Sequence, residues 1–285
     1  MVVRVRAPGK VVLLGEYAVL DGAPAIVAAV DRGVACAVTP SARMEVRTPT
    51  GDDRFVRAAL AAVHAPPAVY TFSDWNPVPG PDKVGLGGSA AATVAAVLAG
   101  HRAAGRDPDP DEVFAVARAV HRRVQGSGSG VDVAASTYGG VLRFERDRVR
   151  AGPAVKPSVV FTGRSAQTGP RVERYLAWTP REAFVADSRA LADAFEAEPI
   201  RALREAGRLL AAMAAEAGIP YVTPETEALV ALAERHGGAA KPSGAGGGDV
   251  VVALFDAAEQ IAAYEADAEA AGFRPIAVRL AGPAG

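Results

Sequence analysis

A glycine-rich turn, Gly85-Leu86-Gly87-Gly88-Ser89, runs without interruption into Ala90–Ala104, a stretch of Ala, Val and Leu that meets no breaker before Gly100. Good helix formers without polar interruption predict a helix with a largely buried face. Glycines let the backbone approach a ligand closely, and the helix that follows aims its free N–H groups and positive dipole end at the turn. Such a turn can cradle a phosphate, with the Ser at its end within reach of Mg²⁺ or a phosphate oxygen. It is neither a Walker A motif, because no G-K-[ST] follows, nor G-x-G-x-x-G. On these residues alone, a tight entry into a buried helix explains the turn equally well.

The 285 residues, half of them hydrophobic, suffice for roughly two domains of ~100–200 residues. Disorder and a small disulfide scaffold are excluded. Lys and Arg (31) nearly cancel Asp and Glu (32), so no global field attracts nucleic acid or an anionic membrane, and an anionic ligand needs a local site. The lone Cys36 forms no internal disulfide and Met1 to Gly9 has no signal-like apolar stretch, which together predict a cytoplasmic protein. The apolar runs Ala23–Val30 and Ala90–Ala99 fall short of the ~20 residues of a membrane span.

Val2–Arg6 and Val11–Leu14 read as strands around the breaker Ala7-Pro8-Gly9, and Ala25–Val30 and Val34–Val38 as two more around Asp31-Arg32-Gly33. Asp74–Asp82 reads as a loop and Asp111–Val124 as a helix with acids in its first turn. Val131–Ser136 reads as a short helix and Tyr138–Phe144 as a strand. A boundary near Gly152-Pro153 divides residues 1–152 from 153–285. Beyond it the pattern predicts strands over Ser158–Thr162, Val250–Phe255 and Arg274–Val278. Helices are predicted over Arg181–Ala217, broken near Pro199, and over Glu225–Arg235 and Ala257–Ala271. Strands and helices mix without a regular βαβ repeat, which favours an α+β architecture in two lobes.

Two further segments are rich in glycine. Lys241-Pro242-Ser243-Gly244-Ala245-Gly246-Gly247-Gly248-Asp249 precedes the strand at Val250. Four glycines in five residues lose much backbone entropy on folding, so the segment reads as functional, against a flexible linker as the plainer alternative. Gln125-Gly126-Ser127-Gly128-Ser129-Gly130-Val131-Asp132 places a carboxylate just beyond a loop, where capping the next helix is an equal alternative.

Ala7-Pro8-Gly9-Lys10 with Gly15-Glu16-Tyr17, then Gly85 to Ala90, then Lys241 to Asp249, resemble in order the three motifs of the GHMP small-molecule kinases. The resemblance implies a two-lobed α+β fold. Residues 1–152 would form an ATP-binding lobe like the second domain of ribosomal protein S5, and residues 153–285 a ferredoxin-like lobe. It implies ATP-dependent phosphorylation in the cleft between them, with Mg²⁺ as cofactor, in a monomer or homodimer. The finer words Val124 to Ala135, Thr162-Gly163-Arg164-Ser165-Ala166-Gln167-Thr168 and Lys241-Pro242-Ser243-Gly244 resemble the phosphomevalonate kinase branch. The His-Gly-x-Pro-Ser-Gly-x-Asp-Asn wording of mevalonate kinases is absent, and Val133 stands in place of its Asn.

Carried over by resemblance, Lys10 is the active-site lysine and Asp132 the aspartate beside the acceptor. Gly85, Leu86, Gly87, Gly88, Ser89 and Ala90 cradle the ATP phosphates, Ser89 also helping to hold Mg²⁺. Ser243, Gly244, Ala245 and Gly246 close the site from the second lobe. Tyr17, Gln125, Ser129, Ser165 and Thr168 are polar candidates for the small acidic substrate. A phosphate acceptor brings two anions face to face, so Lys83, Arg164 and Lys241 are the candidate extra cations, against the usual solvated fate of surface Lys and Arg. Gly88 stands where many relatives carry Ser. His121, eleven residues before Asp132, stands where mevalonate kinases place an acidic metal ligand. Imidazole suits hard Mg²⁺ poorly, so His121 is expected to be a packing or surface histidine, with the metal resting on Ser89, the nucleotide and water.

The expected reaction is phosphorylation of (R)-5-phosphomevalonate to 5-diphosphomevalonate in isoprenoid biosynthesis. Another activity of the same family, on mevalonate, homoserine or a sugar, is the nearer alternative. A nucleotide-binding protein without transfer is the more distant one.

Overall fold

The structure, a computed structural model, describes residues 3–80, 83–126 and 128–285. Val2, Asp82 and Ser127, each part of a segment discussed above, lie outside the described residues. In the N-terminal lobe the chain runs through β1 (Val3–Leu14), β2 (Ala25–Pro40), β3 (Glu45–Arg47), α1 (Arg54–Ala62) and β4 (Ala68–Trp75). It continues through α2 (Gly88–Ala103), α3 (Pro110–Gln125), α4 (Val131–Tyr138), β5 (Val141–Glu145) and β6 (Arg148–Ala151). The C-terminal lobe holds β7 (Ser158–Phe161), α5 (Gly169–Ala177), α6 (Glu182–Ala194), α7 (Pro199–Glu216) and α8 (Pro224–Arg235). It ends with β8 (Ala239–Pro242), β9 (Val250–Leu254), α9 (Ala258–Ala270) and β10 (Arg274–Pro275).

Two separate pairs of strands were expected, and each pair is one long strand. β1 and β2 pair antiparallel along most of their length, and the two breakers face each other, Pro8 opposite Gly33 and Gly9 opposite Val30. The register shift between Pro8 and Gly9 absorbs Asp31 and Arg32 as a bulge, so the ladder bends instead of ending. The other edge of β2 is shared: Gly33–Pro40 pair with β4 and Ala25–Ala28 with β5. The first sheet runs β3-β4-β2-β5-β6 with β1 added on β2. The second runs β10-β7-β9-β8, all antiparallel, which is the strand order of a ferredoxin-like lobe.

Side-chain alternation on these strands decides how the lobes join. Ala25, Val27 and Ala29 face a core shared with α1 to α4, whereas Ile26, Ala28 and Val30 face a second core. That second core also takes Val11 and Leu13 from β1, Phe161 from β7, Val250, Val252 and Leu254 from β9, and Leu203 from α7. Both faces of Val11–Leu14 and of Ala25–Val30 are therefore covered, which is why Val11–Leu14 reads as a continuous apolar run rather than an alternating one. Val251 and Ala253 point the other way, onto Leu229 of α8 and Tyr264 of α9.

The chain's last residues return to the first lobe. Leu280 bridges Val30, Ala281 N–H donates to Ala29 O at 3.0 Å, and Gly285 and Arg6 exchange two backbone bonds. Of the strand expected over Arg274–Val278, Arg274–Pro275 pair with β7 and Ile276 N–H donates to Val159 O at 2.8 Å. Tyr138, expected to open a strand, instead closes α4, and Asp74 and Trp75, expected in a loop, extend β4.

α2 is buried on nearly all sides, so it carries a polar group inward. His101 is buried, neither ring nitrogen has a hydrogen-bond partner, and Glu112 Oε1 lies 3.7 Å away. Burial first, and the charge of Arg106 second, push the imidazole below its ordinary pKa, with Glu112 opposing. Below about pH 6.5 the unfolded chain therefore binds a proton that the folded chain refuses. The contribution of neutral His101 is complete above that value and is lost as pH falls toward the folded pKa. Urea midpoints are expected to decline from pH 7 to 5.5, and His101→Met to flatten that decline. An unchanged slope in the variant would contradict the assignment.

Candidate active site

β1 delivers Lys10 to the cleft, and α4 delivers Asp132. The Lys10 side chain is almost enclosed, the residue being 7% exposed, and its Nζ lies 3.6 Å from Asp132 Oδ2. Asp132 does not cap its helix; Gly130 occupies that position, and the carboxylate sits in the first turn, where the dipole favours it. The loop before it is tightened by Val131 N–H donating to Ser129 Oγ at 3.3 Å.

The glycine-rich turn lies against the same strand. Lys10 N–H donates to Leu86 O at 2.9 Å, so the turn is tied to β1 by backbone. Gly85 adopts φ +76°, and a Cβ there would collide with the Asp249 carboxyl group; only glycine fits on both counts. α2 then starts at Gly88 with no acid in its first turn, leaving the N–H groups of Gly88, Ser89 and Ala90 at the positive end of a buried helix. Ser89 Oγ is 3.1 Å from His121 Nε2, and the His121 ring stacks on Phe55 with centroids 5.1 Å apart. Burial pushes the His121 pKa down, against the pull of Asp132. Beyond its packing role, His121 thus holds the hydroxyl of Ser89.

The third segment closes over Lys10 from the second lobe. Lys241 is fully buried and its Nζ donates to Glu16 Oε1, and to Pro242 O at 2.8 Å. Glu16 Oε1 also accepts from Gly244 N–H at 3.2 Å, while Glu16 Oε2 is buried without a partner. Ser243 Oγ accepts from Val12 N–H at 2.8 Å, and Tyr17 Oη donates to Ala245 O at 2.7 Å. A Cβ on Gly244 would stand 4.0 Å from Lys10 Nζ. Burial lowers the Lys241 pKa first, Glu16 works to raise it, and the nearby Lys10 charge lowers it further. Lys241 and Ser243 are therefore spent on joining the lobes, Gly244 stands next to Lys10, Ala245 is tied to Tyr17, and Gly246 is buried against the Tyr221 ring.

The remaining sequence candidates divide. Ser165 Oγ donates to Lys83 O at 2.7 Å, linking the second lobe to the phosphate turn beside the exposed Lys83. Arg164 is exposed and paired with Glu225 at 3.2 Å. Gln125 is exposed at the end of α3, and Thr168 is exposed where α5 begins. Two positions that shape the site escaped sequence reasoning: Glu16 as the partner of Lys241, and Asp249 as an anchor. Asp249 Oδ1 accepts from Ala166 N–H at 2.9 Å and its N–H donates to Arg164 O at 2.6 Å. Glu16 had a signal, a lone carboxylate in the apolar stretch Val11–Leu20.

The arrangement combines a helix N-terminus for phosphates, a lysine–aspartate pair beside it and a glycine loop above, as phosphoryl transfer requires. Residues 58–140 match the family described as GHMP kinases N terminal domain, and residues 191–269 match GHMP kinases C terminal. A phosphomevalonate kinase from Streptomyces sp. (strain CL190) is 32% identical, covering 88% of this chain and 89% of its own. A mevalonate kinase from Archaeoglobus fulgidus is 31% identical, covering 94% and 98%. The crystal structure of the Lin0012 protein from Listeria innocua superposes with TM-score 0.91 at 24% identity, covering 100% of this chain and 99% of that one.

The Glu16–Lys241 pair yields a direct test. Removing one partner strands a buried charge, which typically costs about 3–5 kcal/mol, whereas replacing both with well-packed apolar groups is often near neutral. Glu16→Gln and Lys241→Met are each expected to lower the urea midpoint steeply, and the double variant less than their sum. Additive effects in that cycle would show that the two groups do not interact.

Proposed function

Since the chain belongs to the GHMP kinases, we propose that it transfers the γ-phosphoryl group of ATP to the phosphate of (R)-5-phosphomevalonate. The product would be 5-diphosphomevalonate, in the isoprenoid-forming mevalonate pathway of the cytoplasm. The observation that carries the reading is the Lys10–Asp132 pair, 3.6 Å apart, beside the free N-terminus of α2. The choice of acceptor is supported by the Gln125 to Asp132 wording and by the Streptomyces relative.

In this reading the N–H groups at Gly88 to Ala90 bind the nucleotide phosphates, and the Lys10 ammonium sits where charge develops on the transferring oxygens. A phosphate monoester has a second pKa of about 6 and is largely dianionic at pH 7, so its attacking oxygen needs little base. Asp132 then chiefly orients Lys10 and the acceptor. The P–O bond to the acceptor forms as the bond to ADP breaks, with no proton to remove from the acceptor.

The donor set also bears on the metal. Among the described residues no group of three or more His, Cys, Asp and Glu could hold an ion, and the site offers a serine hydroxyl steadied by His121. That suits Mg²⁺ carried by the nucleotide, since Mg²⁺ keeps phosphates and water as most of its ligands. Ser89 would be its protein oxygen. Bound there, the ion would neutralise charge on the phosphates. No helix of the described residues is long and apolar enough to cross a membrane.

A second reading, phosphorylation of mevalonate itself, is favoured by the Archaeoglobus relative, matched over nearly its whole length. It differs in what Asp132 must do, because a hydroxyl acceptor loses a proton and general-base catalysis contributes about 10²–10⁴-fold. Steady-state ADP release with each acceptor tests both readings. Phosphomevalonate should be turned over, Lys10→Met should abolish most of that turnover, and Asp132→Asn should lower kcat by only about tenfold. A loss of about 10³-fold or more in Asp132→Asn would favour the hydroxyl acceptor, and wild-type silence with phosphomevalonate would overturn the proposal.

A further inference from the structure

Three cations from three different elements converge on one half-buried carboxylate. Burial raises the Asp249 pKa, and Lys10 of β1, Lys83 of the phosphate turn and Arg171 of α5 all work to lower it. Lys10 is paired with Asp132, but among the described residues neither Lys83 nor Arg171 has a carboxylate within 4.0 Å. Lys83 and Arg171 therefore stand on the side of the cleft where Lys10 lies without a direct ion pair among the described residues, their nearest electrostatic partners being Asp249 for both and Asp52 for Lys83.

Arg171 is the cation of this group whose head is fixed. Its Nη1 donates to Gln167 O at 2.5 Å and its Nε reaches Pro220 O at 3.5 Å, so backbone carbonyls orient the guanidinium without neutralising it. Nη2 lies against the backbone of Gly247, where a Cβ would collide with it. Gly247 is in turn held by donating to Tyr221 O at 2.7 Å. The same charge reaches Tyr17, whose hydroxyl is bonded to Ala245 O. The loop of Ser243 to Gly248 thus has the Lys10 amine near Gly244 and the Arg171 fork on Gly247. Arg171 also sits in the first turn of α5, where the helix dipole disfavours a cation and no acid offsets it.

A planar fork held in place, with no carboxylate within 4.0 Å among the described residues, matches two oxygens of a phosphate, and it offers little to a neutral hydroxyl. We propose that Arg171 binds the acceptor's phosphate and so selects a phosphomonoester over its unphosphorylated parent alcohol. This rests on the acceptor reading given above and supplies the contact that discriminates. Arg164, exposed and paired with Glu225, does not supply it.

The test uses the full chain with saturating Mg-ATP, phosphomevalonate as substrate and mevalonate as competing ligand, in wild type, Arg171→Met and Arg171→Lys. A lost charge-assisted bidentate contact should raise KM for phosphomevalonate about 30-fold in Arg171→Met, and about 5–10-fold in Arg171→Lys, which keeps the charge but not the fork. The KM for ATP and the affinity for mevalonate should stay within about twofold, because neither uses the fork. Thermal melts of both variants confirm folding, and Arg171→Lys carries the test should the Met variant not fold. An unchanged KM for phosphomevalonate, or an equal loss of mevalonate affinity, would overturn the assignment, the second by placing the fork on the carboxylate end common to both acids. Wild type inert toward phosphomevalonate would instead overturn the acceptor reading itself, an outcome visible without any variant.

Discussion

The cleft depends on one buried ion pair that crosses it. Glu16 follows β1 and Lys241 belongs to β8, 225 residues apart in the chain, and both are withdrawn from water. Two charges in a low-dielectric interior hold a specific geometry because any slip leaves one of them unpaired. Glu16 uses the same oxygen to accept from Gly244 N–H, so the pair also sets the height of the glycine loop over Lys10. Val12 to Ser243 and Tyr17 to Ala245 add two more ties within the same few residues. The loop's glycines alone would leave it loose; these bonds at its start hold it.

Apolar packing makes that precision possible. Val11–Leu14 of β1 and Ala25–Val30 of β2 are buried on both faces, one against α1 to α4 and the other against the second sheet and α7. The lobes therefore meet through a common core rather than a wet hinge, and Lys10 is carried on a strand with little freedom. The Asp31-Arg32 bulge of β2, opposite the Pro8–Gly9 step, bends the ladder immediately before Lys10. Bulges recur next to active sites because they re-aim a side chain without breaking the sheet.

Much of this was legible from the residues. The Ala-rich run after Gly88 and the apolar run at Val250 carried their secondary structure locally, and the three glycine segments do meet around one cleft. What was missed was non-local or against local preference. Ala7-Pro8-Gly9 reads as a stop, and only the facing break at Asp31-Arg32-Gly33 turns it into a bulge. α5 opens with Gly169-Pro170, a start signal that the flanking polar residues concealed. Lys241 reads as a candidate cation for the acceptor or as a solvated surface charge, and its actual partner Glu16 becomes visible only once the lobes are assembled. The same holds for the surroundings of Arg171, since Gly247, Tyr17 and Asp249 are brought to it by the fold and are not its neighbours in the chain.

The chemistry follows from where charge is left over. Lys241 is paired with Glu16, Arg164 with Glu225 and Lys10 with Asp132, while Lys83 and Arg171 have no direct ion pair among the described residues and act with Lys10 on Asp249. The proposed acceptor is the one that would use such cations, because it brings two phosphates face to face where an alcohol brings one. Phosphorus NMR of one reaction containing equal mevalonate and phosphomevalonate with Mg-ATP tests this most directly. Coupled doublets of a new diphosphate ester, growing as the phosphomevalonate singlet disappears and with mevalonate untouched, are the predicted result. A growing monoester singlet at the expense of mevalonate would contradict it.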